Sequence, residues 1–455
     1  MGSRYKFSLE KTSEIYQKTI LPQFTKDLPQ SVLNCHRGVS MDICLNTLLL
    51  TSLTNSSFQQ VYDKIDSYAY LGFTELEHMP QVHYIRKTLI AWESKEIIKR
   101  HRVILKDQLR KLKTTKFWQQ THSNEGVVLA FDITERGYFG SEDEHTVYSK
   151  GRTVAKRCHA YLSMQIMCPG QRLILDVEAV YTHNKPIGKL IAKMLSRVRK
   201  QGLKIKRIYL DRGFYQIDVL RELRKYYASE TLMPAIRTKR VKEAIAQWHQ
   251  EHGFKAGMLE MQLGKGKSIE PYILVFSPLD PDKRQSIRRK SQGKEEIHNY
   301  YLFFCLLKPP EVSDPVDMEL VFNRLSWDYR NRWGIETGYR VLKTIWAQTT
   351  SKEYSLRTWL LWNAVILYNM WVLGSVELQE QKGIPNSYVC CEGNSITKPR
   401  VKKIPREPHE RPRRPWVPRS IQKLDRFLDV ILMVALKSLQ RLLDHPQDDN
   451  FELIK

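Results

Sequence analysis

The chain has 455 residues, 42% hydrophobic and 10% aromatic, enough for two or three packed domains and too apolar for a disordered polymer. Its 73 Lys and Arg against 49 Asp and Glu leave a net charge of +24, far more than solubility requires, and point to a polyanion such as nucleic acid as partner. Seven cysteines form no C-x-x-C and no Cys/His ligand spacing, which argues against a disulfide framework and a zinc site. The start, Met1-Gly2-Ser3-Arg4-Tyr5-Lys6, has no apolar leader core, so a reduced, cytoplasmic chain is expected.

Residues 1–125 read as helical. Met41 to Leu53 is an apolar helix ending near Asn55, Ser57 to Ile65 a second, and Ile97 to Lys116 a cationic amphipathic one. Such a basic helical region suits duplex binding, or capping of a catalytic domain. From Val127 the texture changes to strands: Val127 to Ile133, Cys158 to Cys168 and Leu173 to Tyr181. A helix from Pro186 to Lys200 follows, then a strand Arg207 to Leu210, a helix Ile217 to Tyr227 and a strand Thr231 to Ile236. This βββαβαβ order predicts an α/β fold: a ribonuclease-H-like mixed five-stranded sheet flanked by helices, with carboxylates at the ends of central strands.

Residues 238–312 are expected to form a β-rich insertion, with strands at Ile273 to Phe276 and Tyr300 to Leu307 around a cationic loop, Lys283 to Lys294. The catalytic domain, 126–237 and 313–376, resumes with a helix over Asp317 to Trp346 and an apolar helix over Ser355 to Leu373. The apolar run Trp359 to Gly374 contains Asn363 and Asn369 and is shorter than the ~20 residues that span a bilayer, so it is expected in the core and no membrane is invoked. A basic linker, 377–420, holds nine Lys/Arg and six Pro in its last 25 positions, which predicts an extended chain. Residues 421–455 carry a closing amphipathic helix.

Asp132 and Asp211 each follow an apolar strand, where an unpartnered charge is costly and a divalent metal would resolve the cost. Tyr329, Arg332, Glu336 and Lys343 fall at offsets −7, −4, 0 and +7 on the predicted helix. One face therefore carries a carboxylate among cations, a pattern suited to a metal and a phosphate.

These four residues match, at every spacing, the Y-x2-R-x3-E-x6-K signature of a group of DDE transposases of prokaryotic insertion sequences, the insertion-sequence-family-four-like group. The chain resembles that group over about residues 125–375, including Asp211-Arg212-Gly213-Phe214-Tyr215. The resemblance implies a metal-binding catalytic triad of Asp132, Asp211 and Glu336. It implies two Mg²⁺ ions, for which Mn²⁺ can substitute, and assigns Arg332 and Lys343 to phosphates of the transposon end. Tyr329 would bond a phosphate oxygen or pack in the helix. The expected function is cut-and-paste transposition: binding of terminal inverted repeats, Mg²⁺-dependent cleavage and strand transfer into target DNA. The active complex would be a homodimer on double-stranded DNA, associated with the nucleoid. A non-catalytic repressor derived from an element, or a ribonuclease-H-like nuclease or resolvase that cuts without joining, are the alternatives.

Some relatives cut the second strand through a hairpin with a base stacked on a tryptophan of the insertion. Trp248 is the residue available here, but it falls on a predicted helix, Val241 to Gln250, where core packing is the expected role. Asp176 and Glu178 share a strand face and rival the triad for metal, although mid-strand placement favours ordinary partners. Glu142-Asp143-Glu144-His145 reads as a solvated loop. Gly266-Lys267-Ser268 lacks the first glycine of a phosphate-binding loop, since Met261 stands there.

Overall fold

The structure is a computed structural model that describes residues 22, 34–35, 39–63, 81–122, 126–149, 155–168, 172–181, 186–226, 231–266, 268–279, 300–301, 304–307 and 315–381. The cationic loop 283–294, the Pro-rich stretch 396–420 and the helix expected over 421–443 lie outside the described residues. The described chain falls into two compact units, one drawn from Met1–Arg100, Ile345–Leu367 and Glu377–Lys455, the other from His101–Thr344 and Tyr368–Val376.

In chain order the elements begin with two short antiparallel strands, β1 (Asn34–Cys35) and β2 (Val39–Ser40), and helices α1 (Met41–Thr54), α2 (Val82–Ile90), α3 (Ser94–Lys113) and α4 (Lys116–His122). Then come β3 (Val127–Tyr138), β4 (Val147–Tyr148), β5 (Arg157–Ile166), β6 (Ile174–Val180), α5 (Ile187–Lys200), β7 (Ile205–Tyr209), α6 (Ile217–Tyr226) and β8 (Thr231–Pro234). The series ends with α7 (Lys239–His252), β9 (Gly257–Lys265), β10 (Ser268–Phe276), β11 (Phe304–Leu306), α8 (Pro315–Arg330), α9 (Trp333–Ile345) and α10 (Tyr354–Gln381).

In the first unit α1 is apolar on almost every side, with Cys44, Leu45, Leu48, Leu49 and Leu50 buried, and it ends at Asn55 in the left-handed conformation. Asn363 explains its place in an apolar run: its Nδ2 donates to the carbonyl of Leu48 at 3.2 Å and to Ser52 Oγ at 2.9 Å. Trp359 Nε1 donates to the Leu89 carbonyl at 3.1 Å. Helix α10 is long and apolar enough to cross a bilayer, but 89% of its most apolar window is buried inside the protein. Its polar side chains have partners there, as a core helix requires.

The second unit is built on a mixed sheet. β3 pairs antiparallel with β5 from Leu129 to Tyr138, and β4 and β6 share the other edge of β5. On its other side β3 runs parallel to β7, and β7 to β8. The sheet does not stop at five strands. β11 pairs with the open edge of β8, β10 with β11, and β9 with β10, giving nine strands among the described residues. The strands expected as a separate insertion thus continue the sheet, because an uncovered β8 would leave backbone donors and acceptors without partners. Gly266 follows β9 where the chain turns back into β10, and Ser268 pairs with Lys265.

Helices cover both faces of this sheet. Asp176 and Glu178 on β6 are tied to Arg102 of α3 and Arg197 of α5, whereas Ser163 on β5 meets Tyr339 of α9. Asp176 pairs in register with Met164, the neighbour of Ser163, and neighbours on a strand point to opposite faces. So α3 and α5 lie on one face and α9 on the other. Asn369 of α10 closes the unit: its Oδ1 accepts from the Ile174 N–H at 2.9 Å, and its Nδ2 donates to the Ile174 carbonyl at 2.8 Å and to Gln108 at 3.0 Å.

Candidate active site

Asp132 lies within β3, not at its end, since the strand continues to Tyr138. What ends near Asp132 is the pairing with β7. The last parallel pair is Ala130 with Tyr209, and Asp132 and Asp211 each stand two residues further on (130 + 2 and 209 + 2). A period of two returns both side chains to the face of that last pair, at one level of the sheet. Beyond β7 the chain turns through a 3₁₀ helix, Arg212–Phe214, capped by Asp211 itself, whose Oδ1 accepts the Arg212 N–H at 2.6 Å.

The single helix expected to carry Tyr329, Arg332, Glu336 and Lys343 is broken in two. α8 ends at Arg330, and Asn331 and Arg332 form a tight turn with three-residue backbone bonds, Asn331 N to the Asp328 carbonyl and Arg332 N to the Tyr329 carbonyl. Asn331 and Gly334 are poor helix formers, which accounts for the break. Its consequence is that Glu336 occupies the first turn of a new helix, where unsatisfied backbone N–H groups favour a negative charge.

α9 is held against the carboxylate strand by contacts the sequence reading did not anticipate. Tyr339, one turn after Glu336, is buried, and its hydroxyl donates to the backbone carbonyl of Asp132 at 3.0 Å and meets Ser163 Oγ. Gly334 and Gly338 permit the close approach. A Cβ at Gly334 would come within 2.5 Å of Arg172 Nε, and one at Gly338 within 2.8 Å of Gln165. Two glycines four residues apart on one helix face were the available sequence signal.

Tyr329 is buried, and its hydroxyl donates to the Leu210 carbonyl at 2.8 Å, immediately before Asp211. Its ring packs edge-on against Tyr209, and burial pushes its phenol well above the ordinary range. The hydrogen-bonding proton expected to face a phosphate is thus directed at the backbone that positions Asp211. Arg332 is 7% exposed and donates to Glu336 Oε1 at 2.8 Å, while its guanidinium lies 5.5 Å from the Tyr329 ring centroid. Its Nε is buried without a hydrogen-bond partner. Burial opposes its charge, yet Tyr329, Asp211 and Glu336 together push its pKa up. Lys343 is exposed on α9 seven residues after Glu336, about 10 Å along the helix axis.

Asp132 registers the whole arrangement. Burial pushes its carboxyl up to about 6; the Ile133 N–H and Arg332 pull it down, and Asp211 and Glu336 push it further up. Three carboxylates, two from neighbouring strands at one level of the sheet and one from a helix, therefore share a field. No group of three His, Cys, Asp or Glu among the described residues is close enough, as placed, to hold a metal ion. The donor set nevertheless fits one: carboxylate oxygens suit hard divalent cations, and Asp132 bears a desolvation and repulsion cost that such a cation would remove. Glu336 Oε1 is engaged by Arg332 in this arrangement.

The remaining expected residues have ordinary partners. Asp176 and Glu178 are neutralised by Arg102, Arg197 and Lys193. Trp248 sits on α7, stacked on His252 at 4.0 Å and edge-on to Phe276 at 5.5 Å, with its indole N–H donating to the Lys255 carbonyl. Trp333, beside Arg332, is 63% exposed.

The chain matches the family model described as the transposase DDE domain over residues 123–370. No curated protein sequence matches it. Among solved structures it is similar to a piggyBac transposase synaptic complex with hairpin DNA, determined by cryo-EM, at 12% identity and a TM-score of 0.48, with 97% of this chain and 80% of that chain covered.

Proposed function

Because the chain belongs to the transposase DDE domain family, we propose that it is a cut-and-paste transposase of an insertion sequence of the Y-R-E-K group, built on a ribonuclease-H-like core. The observation that supports this reading is the pairing of Ala130 with Tyr209, two residues before Asp132 and Asp211, together with the bond from Tyr339, one turn after Glu336, to the Asp132 carbonyl. In this reading Asp132, Asp211 and Glu336 hold two Mg²⁺ ions, or Mn²⁺ in their place. The ions would lower the pKa of an attacking water or 3′-hydroxyl and offset charge on the phosphate.

The chain's own groups do the rest. Arg332, aligned by Tyr329, has a fork that fits two phosphate oxygens, and binding one would draw it from Glu336 and return that carboxylate to the triad. Lys343 adds a point charge about two turns away. Trp333 offers an exposed ring face on which a base can stack. The substrates are the inverted-repeat ends and a target duplex, cut and joined by a homodimer in a nucleoid-associated, cytoplasmic setting.

The test is Mg²⁺- or Mn²⁺-dependent nicking of a duplex bearing the element's end. Glu336→Gln should reduce cleavage by at least 10³-fold while end binding stays within a few-fold of the unsubstituted chain. Full cleavage in that variant would sink the assignment. Cleavage without plasmid integration would make it a nuclease instead.

A further inference from the structure

The end of the sheet away from the carboxylates carries cations that the chemistry above does not use. Residues 187–207, comprising α5 and the entry into β7, hold eight Lys/Arg and no Asp or Glu; Lys193, Arg197 and Arg207 are tied to Glu178, Asp176 and Asp328 on other elements. Residues 101–116, the part of α3 in the same unit and the start of α4, hold six Lys/Arg and one acid, Asp107, which is tied to Arg110. The two basic ends are joined. Lys113 Nζ donates to the Gln201 carbonyl at 2.8 Å, and the chain turns at Gly202, φ +71°, before Lys204, whose carbonyl accepts the Val127 N–H at 2.9 Å.

A cation near a helix C-terminus stabilises it, and Lys113 of α3 does so for α5 through the Gln201 carbonyl. That role does not require the others. Lys111, Lys116, Arg199, Lys200 and Lys204 are all exposed. Lys204 and Asp211 bracket β7, so seven residues of extended chain, roughly 20 Å at about 3.3 Å each, separate this ridge from the carboxylates. That span equals roughly six base pairs of B-form duplex.

We propose that the joined ends of α3 and α5, with Lys111, Lys116 and Lys200 at the surface, form a second DNA-binding ridge that grips the phosphate backbone of duplex away from the scissile phosphate. The inference rests on the transposase reading and adds where the uncut duplex is held. A backbone grip is sequence-independent and shows in the salt dependence of binding.

The test compares two triple variants of the full chain that lose equal charge: Lys111→Gln/Lys116→Gln/Lys200→Gln on the ridge, and Lys239→Gln/Lys255→Gln/Lys265→Gln at exposed positions of α7, the connection after it and β9. Binding to a random-sequence duplex of 40 base pairs is followed by fluorescence anisotropy across salt concentrations. The ridge variant should bind the duplex about tenfold more weakly, with a log–log salt slope smaller by about 2 to 3, and the control variant less than threefold more weakly. Equal losses in the two variants, or none in the ridge variant, would overturn the ridge while leaving the transposase reading intact. Absence of duplex binding by the unsubstituted chain would overturn both.

Discussion

Two acidic pairs stand on the same sheet and meet opposite fates. Asp176 and Glu178 on β6 are surrounded by Arg102, Arg197 and Lys193, with Arg102 Nε 3.0 Å from Asp176 and Lys193 Nζ 3.1 Å from Glu178. Burial alone would raise the Glu178 carboxyl, but those three cations hold it below its ordinary value. Asp132 and Asp211 have instead one buried guanidinium nearby, itself bonded to Glu336, and Asp132 is pushed up to about 6. Acidic residues that fold a protein are neutralised within it; acidic residues left to repel one another await something from outside.

The largest expected effect comes from breaking the neutralised pair. Asp176→Ala leaves Arg102 and Arg197 partly buried and opposite Glu178 alone, and removing one partner of a buried ion pair costs about 3 to 5 kcal/mol. Denaturant unfolding should show that loss. A loss below ~1 kcal/mol would mean that the network is dispensable.

Breaking the repelling pair should do the reverse. Asp132→Asn removes a charge that the fold resists and keeps an oxygen for the Ile133 N–H, now 2.8 Å from Oδ1. Asp132 titrates at about 6 in the folded chain and near 3.9 unfolded. The folded state therefore binds the proton more tightly, and the contribution to stability is full below about pH 4 and lost as pH rises through about 6. Metal-free Asp132→Asn should then be more stable than the unsubstituted chain by about 1 to 3 kcal/mol at pH 7.5, with the gap closing below pH 5. Melting curves at the two pH values decide; a destabilised variant at pH 7.5 would show that Asp132 is satisfied after all.

The contrast also explains what could be read from the chain itself. Asp132, Asp211 and Glu336 stand out as candidates because a charge after an apolar run, or among cations at helical spacing, violates local patterning. The βββαβαβ order followed from the period of the hydrophobic residues. The break at Asn331 was not legible as such, because Tyr329, Arg332 and Glu336 keep helical offsets across it, and three-residue backbone bonds preserve roughly that phase. The continuation of the sheet through β11, β10 and β9 was hidden for a different reason: strand pairing at long separation leaves no local trace, and only the open edge of β8 demanded it. Tyr339 escaped because a buried tyrosine on an amphipathic helix looks like core until its partner, a backbone carbonyl 207 residues away, is known.

The smallest predicted effect separates the two roles open to Tyr329. If its hydroxyl met a phosphate, Tyr329→Phe would weaken binding of the DNA end. The hydroxyl donates to the Leu210 carbonyl instead, so phenylalanine should keep the edge-on packing with Tyr209 and lose one buried hydrogen bond, about 1 kcal/mol. With Leu210 released, Asp211 would be held less firmly, and under the proposed function, in which Asp211 helps hold the metal, its misplacement acts on the rate rather than on affinity. The expected result is end affinity within twofold of the unsubstituted chain, a cleavage rate lower by about three- to tenfold, and partial recovery when Mn²⁺ replaces Mg²⁺, since Mn²⁺ binds N/O sites more tightly. A tenfold loss of end affinity with an unchanged rate would assign Tyr329 to the phosphate after all, and would place the frustrated carboxylates under the control of DNA rather than of the strand that carries Asp211.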